Sequence, residues 1–228
     1  MLVLRSSAQR GFSQLDWLKS QHTFSFDQYS DPKHMAFGPL RVINEDHIAP
    51  GAGFGTHPHR NMEIITYVIK GQLRHQDSLG TGSVISAGEI QKMSAGSGIM
   101  HSEFNASNDE EVHLLQIWIV PNVSNLAPKY EQERFELKPG ELTLLGAPQG
   151  GLVSIQQNVN LYGLSLSADM NFRHALEFKK QAWIQVVKGE CLVNNESVKA
   201  GDGVALSEIE QIAIKAVEEC ELLFFELY

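Results

Sequence analysis

The residues best suited to chemistry lie in two short stretches of the sequence. The first stretch contains His57 and His59, and the second contains His101 and Glu103. Each pair is spaced i, i+2, and residues two apart in an extended strand point to the same face. Two neighbouring strands of this kind would aim four ligands at one point. Because imidazole and carboxylate groups bind borderline divalent transition metals, the spacing predicts a metal site built from these four side chains.

The strands that must position these pairs are visible in the hydrophobic pattern. Residues 64–69 form a β-branched run that ends at Lys70-Gly71, and residues 114–120 form an apolar run that ends before Pro121. Runs of this length, bounded by glycine or proline, indicate buried strands. The 19 glycines of the chain imply frequent tight turns, so the sequence predicts an all-β fold.

A loose internal repeat predicts two domains. Residues 65–71 recur as residues 183–189, with the same ending on Lys-Gly. A polar segment that contains two prolines, residues 122–140, separates the two copies. We therefore expect an N-terminal domain over residues 1–125 and a C-terminal domain over residues 126–228.

The second copy of the repeat lacks the candidate ligands. When the copies are aligned, Ala175 and Glu177 take the places of the first pair, and Ile214 and Ala216 take those of the second pair. The C-terminal domain is therefore expected to keep the fold signals without binding a metal.

Composition and charge exclude several classes of function. The net charge of −9 argues against direct nucleic-acid binding, which depends on Lys and Arg neutralising phosphates. No apolar stretch is long enough to span a bilayer, and the apolar run at the N-terminus is too short for a signal peptide. Cys191 and Cys220 are the two cysteines, and they have no metal-binding spacing. We expect them to be reduced thiols in a cytoplasmic protein.

The glycines beside the candidate ligands do not indicate an organic cofactor. No helical pattern and no Lys-Ser/Thr follow them, so they do not form a phosphate-binding loop. They suit turns that bring the backbone close to a site. They are Gly51, Gly53, Gly55, Gly96 and Gly98.

Taken together, these motifs resemble the cupin superfamily and, more closely, the pirin family of two-domain cupins. The residues that fit the first cupin motif are Gly51, His57, His59, Glu63 and Gly71. Those that fit the second are Gly88, Gly98, His101 and Asn105. The segments that resemble pirins specifically are residues 22–26, 56–60, 75–77, 94–103 and 116–118.

The resemblance implies a fold and a ligand set. Pirins are two antiparallel β-barrels of the jelly-roll type packed face to face, with one metal in the N-terminal barrel. The ligands carried over are His57, His59, His101 and Glu103. Many other cupins take the carboxylate ligand from the first motif, here Glu63, but pirins take it from the second motif, which favours Glu103.

The ligand types leave the identity of the metal open. Three imidazoles and one carboxylate suit iron, nickel, cobalt, manganese, copper or zinc and leave one or two positions for water, substrate or dioxygen. The resemblance makes Fe(II) the first choice. His75 and Asp77 are candidates for a pair that orients a ligand imidazole.

The resemblance also implies an activity. Bacterial and human pirins are associated with quercetin 2,3-dioxygenase activity, in which dioxygen opens the heterocyclic ring of a flavonol and carbon monoxide is released. Glu103 would act as general base toward the flavonol 3-hydroxyl group. Residues 22–26 alternate polar and apolar side chains, which predicts a strand with Phe24 and Phe26 on one face. Packing in the core is the commoner use of such a pair, and the alternative is that they form part of an apolar wall around the substrate.

Three other functions fit the sequence. The chain is alternatively a non-catalytic pirin-type regulator that senses redox state and acts through protein partners. It is alternatively a cupin enzyme with another substrate. A barrel that binds a sugar or another small ligand without a metal is the third alternative.

Overall fold

The described part of the chain is built almost entirely of antiparallel β-strands. A computed structural model describes residues 1–177 and 180–228. Its one helical element within those residues is a short 3-10 turn at Ser7–Gln9. None of the described helical segments has the length and apolar character required to cross a bilayer. The predicted all-β class is confirmed.

The chain divides into two compact units that exchange short segments. The N-terminal unit consists of Gly11–Phe135 and Val153–Gln157. The C-terminal unit consists of Met1–Arg10, Glu136–Leu152 and Asn158–Tyr228.

The N-terminal unit contains a larger and a smaller antiparallel sheet. Its strands are β2 (Gly11–Gln14), β3 (Leu18–His22), β4 (Leu40–Ile48), β5 (Gly53–His59), β6 (Glu63–Lys70), β7 (Gln72–Asp77), β8 (Gly82–Ser86), β9 (Glu89–Ser94), β10 (Ile99–Asn105), β11 (Val112–Ile119), β12 (Lys129–Arg134) and β14 (Val153–Ser154). The larger sheet has the order β12-β9-β6-β11-β4-β3-β2, and the smaller sheet has the order β5-β10-β7-β8. The strand at the centre of the larger sheet, β11, is the apolar run that the sequence identified.

The C-terminal unit repeats this arrangement. Its strands are β1 (Leu2–Arg5), β13 (Leu142–Ala147), β15 (Val159–Leu166), β16 (Asn171–Ala175), β17 (Gln181–Lys188), β18 (Glu190–Val193), β19 (Glu196–Lys199), β20 (Gly203–Leu206), β21 (Gln211–Ala216) and β22 (Cys220–Leu227). Its larger sheet contains β1, β20, β17, β22, β15 and β13 in that order, and its smaller sheet has the order β16-β21-β18-β19.

The sequence repeat is therefore a structural repeat. Strand β17 occupies the place in its sheet that β6 occupies in the other unit, and both are followed by a glycine with positive φ, Gly71 and Gly189. A side chain at either glycine would also meet backbone, since a built Cβ lies 2.9 Å from the Glu111 oxygen or 2.2 Å from the Glu219 oxygen. Glycine meets both requirements of this turn.

Strand β12 forms inside the polar segment that the sequence presented as a linker. It pairs with β9 at the edge of the larger sheet, with Lys129 opposite Ser94. The equivalent edge of the C-terminal unit is filled by β1, whose Leu2 lies opposite Leu206 of β20. The compact units are therefore not separated by one boundary after residue 125. Strand β12 lies beyond that point but pairs within the N-terminal unit, and β1 lies before it but pairs within the C-terminal unit. The local sequence of an edge strand does not reveal which sheet it joins.

Among the described residues, apolar clusters contribute to the core of the N-terminal unit. One cluster contains Leu18, Val68, Leu73 and Leu114, and another contains Ile64, Met93 and Ile99. A larger cluster in the described part of the C-terminal unit includes Ile214, Ala216 and both free cysteines. Two of the positions aligned with metal ligands are thus occupied by apolar core residues.

Candidate metal centre

The two histidine-bearing strands are direct neighbours in the smaller sheet of the N-terminal unit. Strand β10 pairs antiparallel with β5, and His101 lies opposite His57. Pro58 does not interrupt β5, because β5 is an edge strand and a proline there leaves no unpaired amide inside the sheet. The alternation expected from the sequence therefore holds, with His57 and His59 less exposed than Pro58 between them.

Three of the predicted ligands converge. His57, His59 and His101 each offer one nitrogen, and these atoms lie within 4.8 Å of one another. The Nε2 atoms of His57 and His101 are 3.0 Å apart. The Nδ1 atom of His57 donates to the Gly55 carbonyl at 2.8 Å, which directs its Nε2 lone pair toward the other two imidazoles.

This geometry fits a bound divalent metal. Metal–imidazole bonds are about 2.0–2.1 Å long for zinc, so two ligand nitrogens at a right angle are about 3 Å apart. The His57–His101 separation matches that value. His101 Nδ1 is buried and has no hydrogen-bond partner. A cation among the three rings would give each of the three offered nitrogens a partner, whereas without one His57 and His101 share a single hydrogen bond at most.

The fourth predicted ligand, Glu103, lies beside this triad and is grouped with a different histidine. The β5–β10 register shifts between His101 and Glu103, so Glu103 does not continue the alternation opposite β5. Its carboxylate groups instead with His75 and His101, again within 4.8 Å. All three of these side chains are buried.

Two side chains on the larger sheet hold the Glu103 carboxylate. Gln116 Nε2 donates to one oxygen at 2.9 Å, and Thr66 Oγ1 donates to the other at 3.4 Å. Sequence reasoning did not single out either residue. The available signal was a glutamine in the middle of the apolar run that became β11, where a buried amide requires a polar partner.

The candidate orienting pair, His75 and Asp77, forms as the sequence suggested. His75 Nε2 donates to Asp77 Oδ2 at 2.9 Å, and neither side chain is exposed. Asp77 Oδ1 accepts two backbone N–H groups from the following turn, which holds the carboxylate in place. The pair thus fixes the His75 ring 5.3 Å from the His101 ring, centroid to centroid.

Burial makes the imidazoles good ligands and the carboxylate a good base. Burial, together with the neighbouring His57, lowers the pKa of His59 to about 4. Burial and the surrounding histidines lower the pKa of His101 to about 2. Both rings therefore stay neutral, the form that binds a metal. Burial raises the pKa of Glu103, although its hydrogen bond from Gln116 acts in the opposite direction.

Glu63, the other carboxylate that the cupin motifs offered, serves a different purpose. It is buried in an ion pair with Lys92, whose Nζ lies 3.4 Å from Glu63 and 2.9 Å from Glu131. Ser94 Oγ also donates to Glu63 at 3.0 Å. Glu63 is therefore held by groups outside the histidine cluster.

Replacing Glu63 with Gln should lower stability without lowering metal content. Lys92 would still pair with Glu131, and the amide oxygen would still accept from Ser94. We therefore expect the free energy of unfolding to fall by about 1–3 kcal/mol. Urea unfolding and elemental analysis of the same preparation measure the two quantities. A variant that folds but loses its metal would place Glu63 in the ligand set.

His57, His59 and Glu103 line a cavity of about 580 Å³ within the N-terminal unit. Pockets of about 300–1,000 Å³ are typical for small organic ligands. Its wall is mainly apolar and aromatic, with one polar region. The apolar lining residues are Leu15, Trp17, Leu18, Phe26, Phe54, Ile64 and Trp118.

Only one of the two phenylalanines expected in this wall reaches it. The sequence predicted a strand over residues 22–26, but β3 ends at His22 and the chain turns, so that Phe26 pairs with Tyr29. Phe26 lines the cavity and packs edge-on against Trp118 at 5.4 Å between centroids. Phe24 is buried in the protein and does not line the cavity.

The polar region of the cavity wall is a hydrogen-bonded chain. Ser20 donates to Asp46, His22 Nδ1 donates to Asn44 at 2.9 Å, and Ser13 donates to His22 Nε2 at 2.8 Å. Burial raises the pKa of Asp46 to about 7, against a hydrogen bond from Ser20 that lowers it. Asp46, which lines the cavity together with Glu103, therefore keeps its proton up to a pH near 7.

The protonation of Asp46 makes the stability of the metal-free protein depend on pH. The folded-state pKa near 7 lies above the ordinary value of 3.8, so the folded state binds the extra proton between these pH values. The contribution of this group to stability is complete below pH 3.8 and is lost as pH rises through 7. Asp46→Asn should raise the free energy of unfolding, relative to the unchanged protein, by about 2–3 kcal/mol more at pH 8 than at pH 5. Urea unfolding of both proteins in chelator measures this difference, and an equal gain at both pH values would contradict it.

Comparisons with known proteins agree with the geometry. The family model described as Pirin matches residues 4–119, and the one described as Quercetinase C-terminal cupin domain matches residues 144–227. Both cupin domains expected from the sequence are therefore confirmed.

Full-length relatives are also similar to the chain. A protein of Escherichia coli (strain K12) named quercetin 2,3-dioxygenase is 45% identical over 228 residues, which are 100% of this chain and 99% of that protein. The crystal structure of YhhW from Escherichia coli has a TM-score of 0.97 and 44% identity and covers 100% of this chain and 98% of that one. A structure described as bacterial pirin YhhW from Escherichia coli in complex with nickel(II) has a TM-score of 0.95 and 44% identity, with coverage of 100% and 99%.

Proposed function

The chain belongs to the pirin family, and we propose on that basis that it is a metal-dependent dioxygenase that opens the heterocyclic ring of a flavonol such as quercetin and releases carbon monoxide. The observation that carries the proposal is the convergence of three imidazoles at a cavity with an aromatic wall, which His57, His59 and the buried carboxylate of Glu103 line. The 45% identical relative named quercetin 2,3-dioxygenase supports the choice of substrate and reaction.

A divalent transition metal would be held by His57, His59, His101 and Glu103. The relative that was crystallised with nickel(II) supports a divalent ion, and we propose Fe(II) as the first ion to test. The ligand types also suit nickel, cobalt, manganese, copper and zinc. When bound, the metal would supply Lewis-acid polarisation of the substrate oxygen atoms.

Glu103 is proposed to accept the proton of the flavonol 3-hydroxyl group. Its raised pKa makes the carboxylate a stronger base than an exposed glutamate. The Gln116 amide and the Thr66 hydroxyl hold its two oxygens separately. The carboxylate therefore keeps a fixed position whether it binds the metal or the proton.

The cavity wall would bind and orient the flavonol rings. Phe26 and Trp118 meet edge to face, and Trp118 also packs against His59 at 5.0 Å between ring centroids. Aromatic faces in this arrangement stack on a flat substrate and exclude water. The polar region around Asn44 and Asp46 offers hydrogen-bond partners for the substrate's other hydroxyl groups.

Oxygen uptake tests the proposal. Protein loaded with Fe(II) should consume dioxygen with quercetin, and mass analysis should show the ring-opened product with loss of carbon monoxide. A flavone that lacks the 3-hydroxyl group is the matched substrate control and should give no uptake. Absence of uptake with every loaded metal would overturn the proposal and favour the regulatory alternative, in which the chain acts through protein partners in the cytoplasm.

A further inference from the structure

A second cluster of histidines and glutamates lies on two strands that also line the cavity, but on their opposite face. Along β4, Asn44 and Asp46 face the cavity. Glu45 and His47 alternate with them and therefore point to the other side. Strand β11 pairs with β4 so that His113 lies directly opposite His47.

The side chains of this cluster are close enough to share one ion. Glu45, His47 and His113 each offer one ligand atom, and these atoms lie within 4.8 Å of one another. His113 Nε2 is 2.9 Å from a Glu45 oxygen, a separation that also suits two adjacent ligands of one metal. The two imidazole rings stack at 4.0 Å between centroids.

A fourth side chain orients one of the imidazoles. His47 Nδ1 donates to Glu111 Oε1 at 2.8 Å. A carboxylate that binds one nitrogen of an imidazole directs the other nitrogen toward a metal and makes it a better ligand. Here that other nitrogen is Nε2 of His47.

The cluster is partly open to solvent, and none of its three proposed ligands is fully buried, whereas His101 of the triad is. The side chains of His47 and Glu111 are 36% and 51% exposed, whereas those of His113 and Glu45 are 20% and 13% exposed. An ion can therefore reach the cluster without any opening of the fold. His47 and Glu111 also line a cleft of about 690 Å³, which adjoins the cavity along the segment from Gln14 to Leu18.

The charges around the cluster favour binding of a cation with moderate affinity. The two carboxylates, Glu45 and Glu111, together match the charge of a divalent ion. Lys19 and Lys70 lie opposite His47 and His113 on the flanking strands. Both lysines are exposed on long side chains, so they would weaken binding without blocking it.

We propose that Glu45, His47 and His113 form a second divalent metal site, with Glu111 orienting His47. Two imidazoles and one carboxylate are a ligand set of zinc sites that keep a position open, so we assign the site to Zn²⁺ or a similar borderline ion. The site is separate from the proposed catalytic centre, because none of these four residues lines the cavity.

Counting bound zinc tests the proposal. Untagged, metal-stripped full-length protein is dialysed against low-micromolar free Zn²⁺, and zinc per chain is measured by elemental analysis. The unchanged protein should bind two equivalents. The double variant His47→Ala/His113→Ala should bind one, in the cavity, and His57→Ala/His101→Ala should also bind one, at the second site. The proposal is wrong if the His47/His113 variant retains all the zinc of the unchanged protein.

Two single variants keep the test decisive if the double variant folds poorly. Glu45→Gln preserves side-chain shape and should abolish zinc binding at the second site under the same conditions. Glu111→Gln removes only the orienting group and should weaken that binding roughly 10–100-fold. Unchanged zinc affinity in Glu45→Gln would overturn the site. Oxygen uptake should be unaffected in both variants, so the result does not depend on the proposed activity.

Discussion

Glu103→Gln is expected to lower turnover of quercetin by about 100-fold or more while leaving the fold intact. Glutamine has nearly the same shape as glutamate, and its amide oxygen still accepts from Gln116, whose Nε2 lies 2.9 Å from the carboxylate. The amide cannot take a proton from the substrate. Oxygen uptake at saturating flavonol measures the effect.

Metal content separates the two roles assigned to Glu103. If turnover falls while the metal stays bound, the carboxylate acts as the base; if both fall together, its main role is that of a ligand. Glu63→Gln is the matched control, because Glu63 is equally buried and is held by Lys92 outside the cavity. Undiminished turnover in Glu103→Gln would remove this side chain from the chemistry.

His101→Ala should lose the cavity metal. His101 is the histidine common to both groups of potential ligands, and its Nε2 lies 3.0 Å from that of His57. Removing a ligand should cost more than the roughly 10–100-fold in affinity that is typical of losing an orienting group. Elemental analysis after dialysis, in a background that also carries His47→Ala and His113→Ala, reports the cavity ion alone.

His22→Asn is the control for this experiment. His22 is as buried as His101, at 2% exposure, and lines the cavity, but it belongs to the hydrogen-bonded region of Ser13 and Asn44. The His22→Asn variant should keep the cavity metal. Full metal occupancy in His101→Ala would show that the proposed ligand set is incorrect.

Much of the site could be predicted because strand alternation is a local property. The i, i+2 spacing of each pair determines which face its side chains share, and β5 and β10 are neighbours with His57 opposite His101. The register shift next to Glu103 was not predictable, since it depends on pairing with β7 as well as β5. For the same reason, the sequence presented Glu103 as a ligand equivalent to the three histidines, whereas in the structure its carboxylate groups with His75 and His101.

Other features depend on contacts between distant parts of the chain. Thr66 and Gln116 face Glu103 only because β6 and β11 lie side by side in the sheet, with these two residues opposite each other. A polar residue within an apolar run indicates a buried hydrogen bond but not its partner. The second histidine cluster arises in the same way, since His47 and His113 meet only through the pairing of β4 with β11.

The position of β1 has a consequence for how the C-terminal unit completes its larger sheet. Strand β1 completes a sheet whose other strands follow more than 130 residues later in the chain, since Leu2 pairs with Leu206 and the next strand of that sheet begins at Leu142. The C-terminal unit of a nascent chain therefore cannot close its edge by local contacts. A fragment that begins at residue 126 would expose the edge of β20, which could then pair with other chains. A C-terminal fragment made for separate study must therefore include residues 1–10, which belong to the same compact unit.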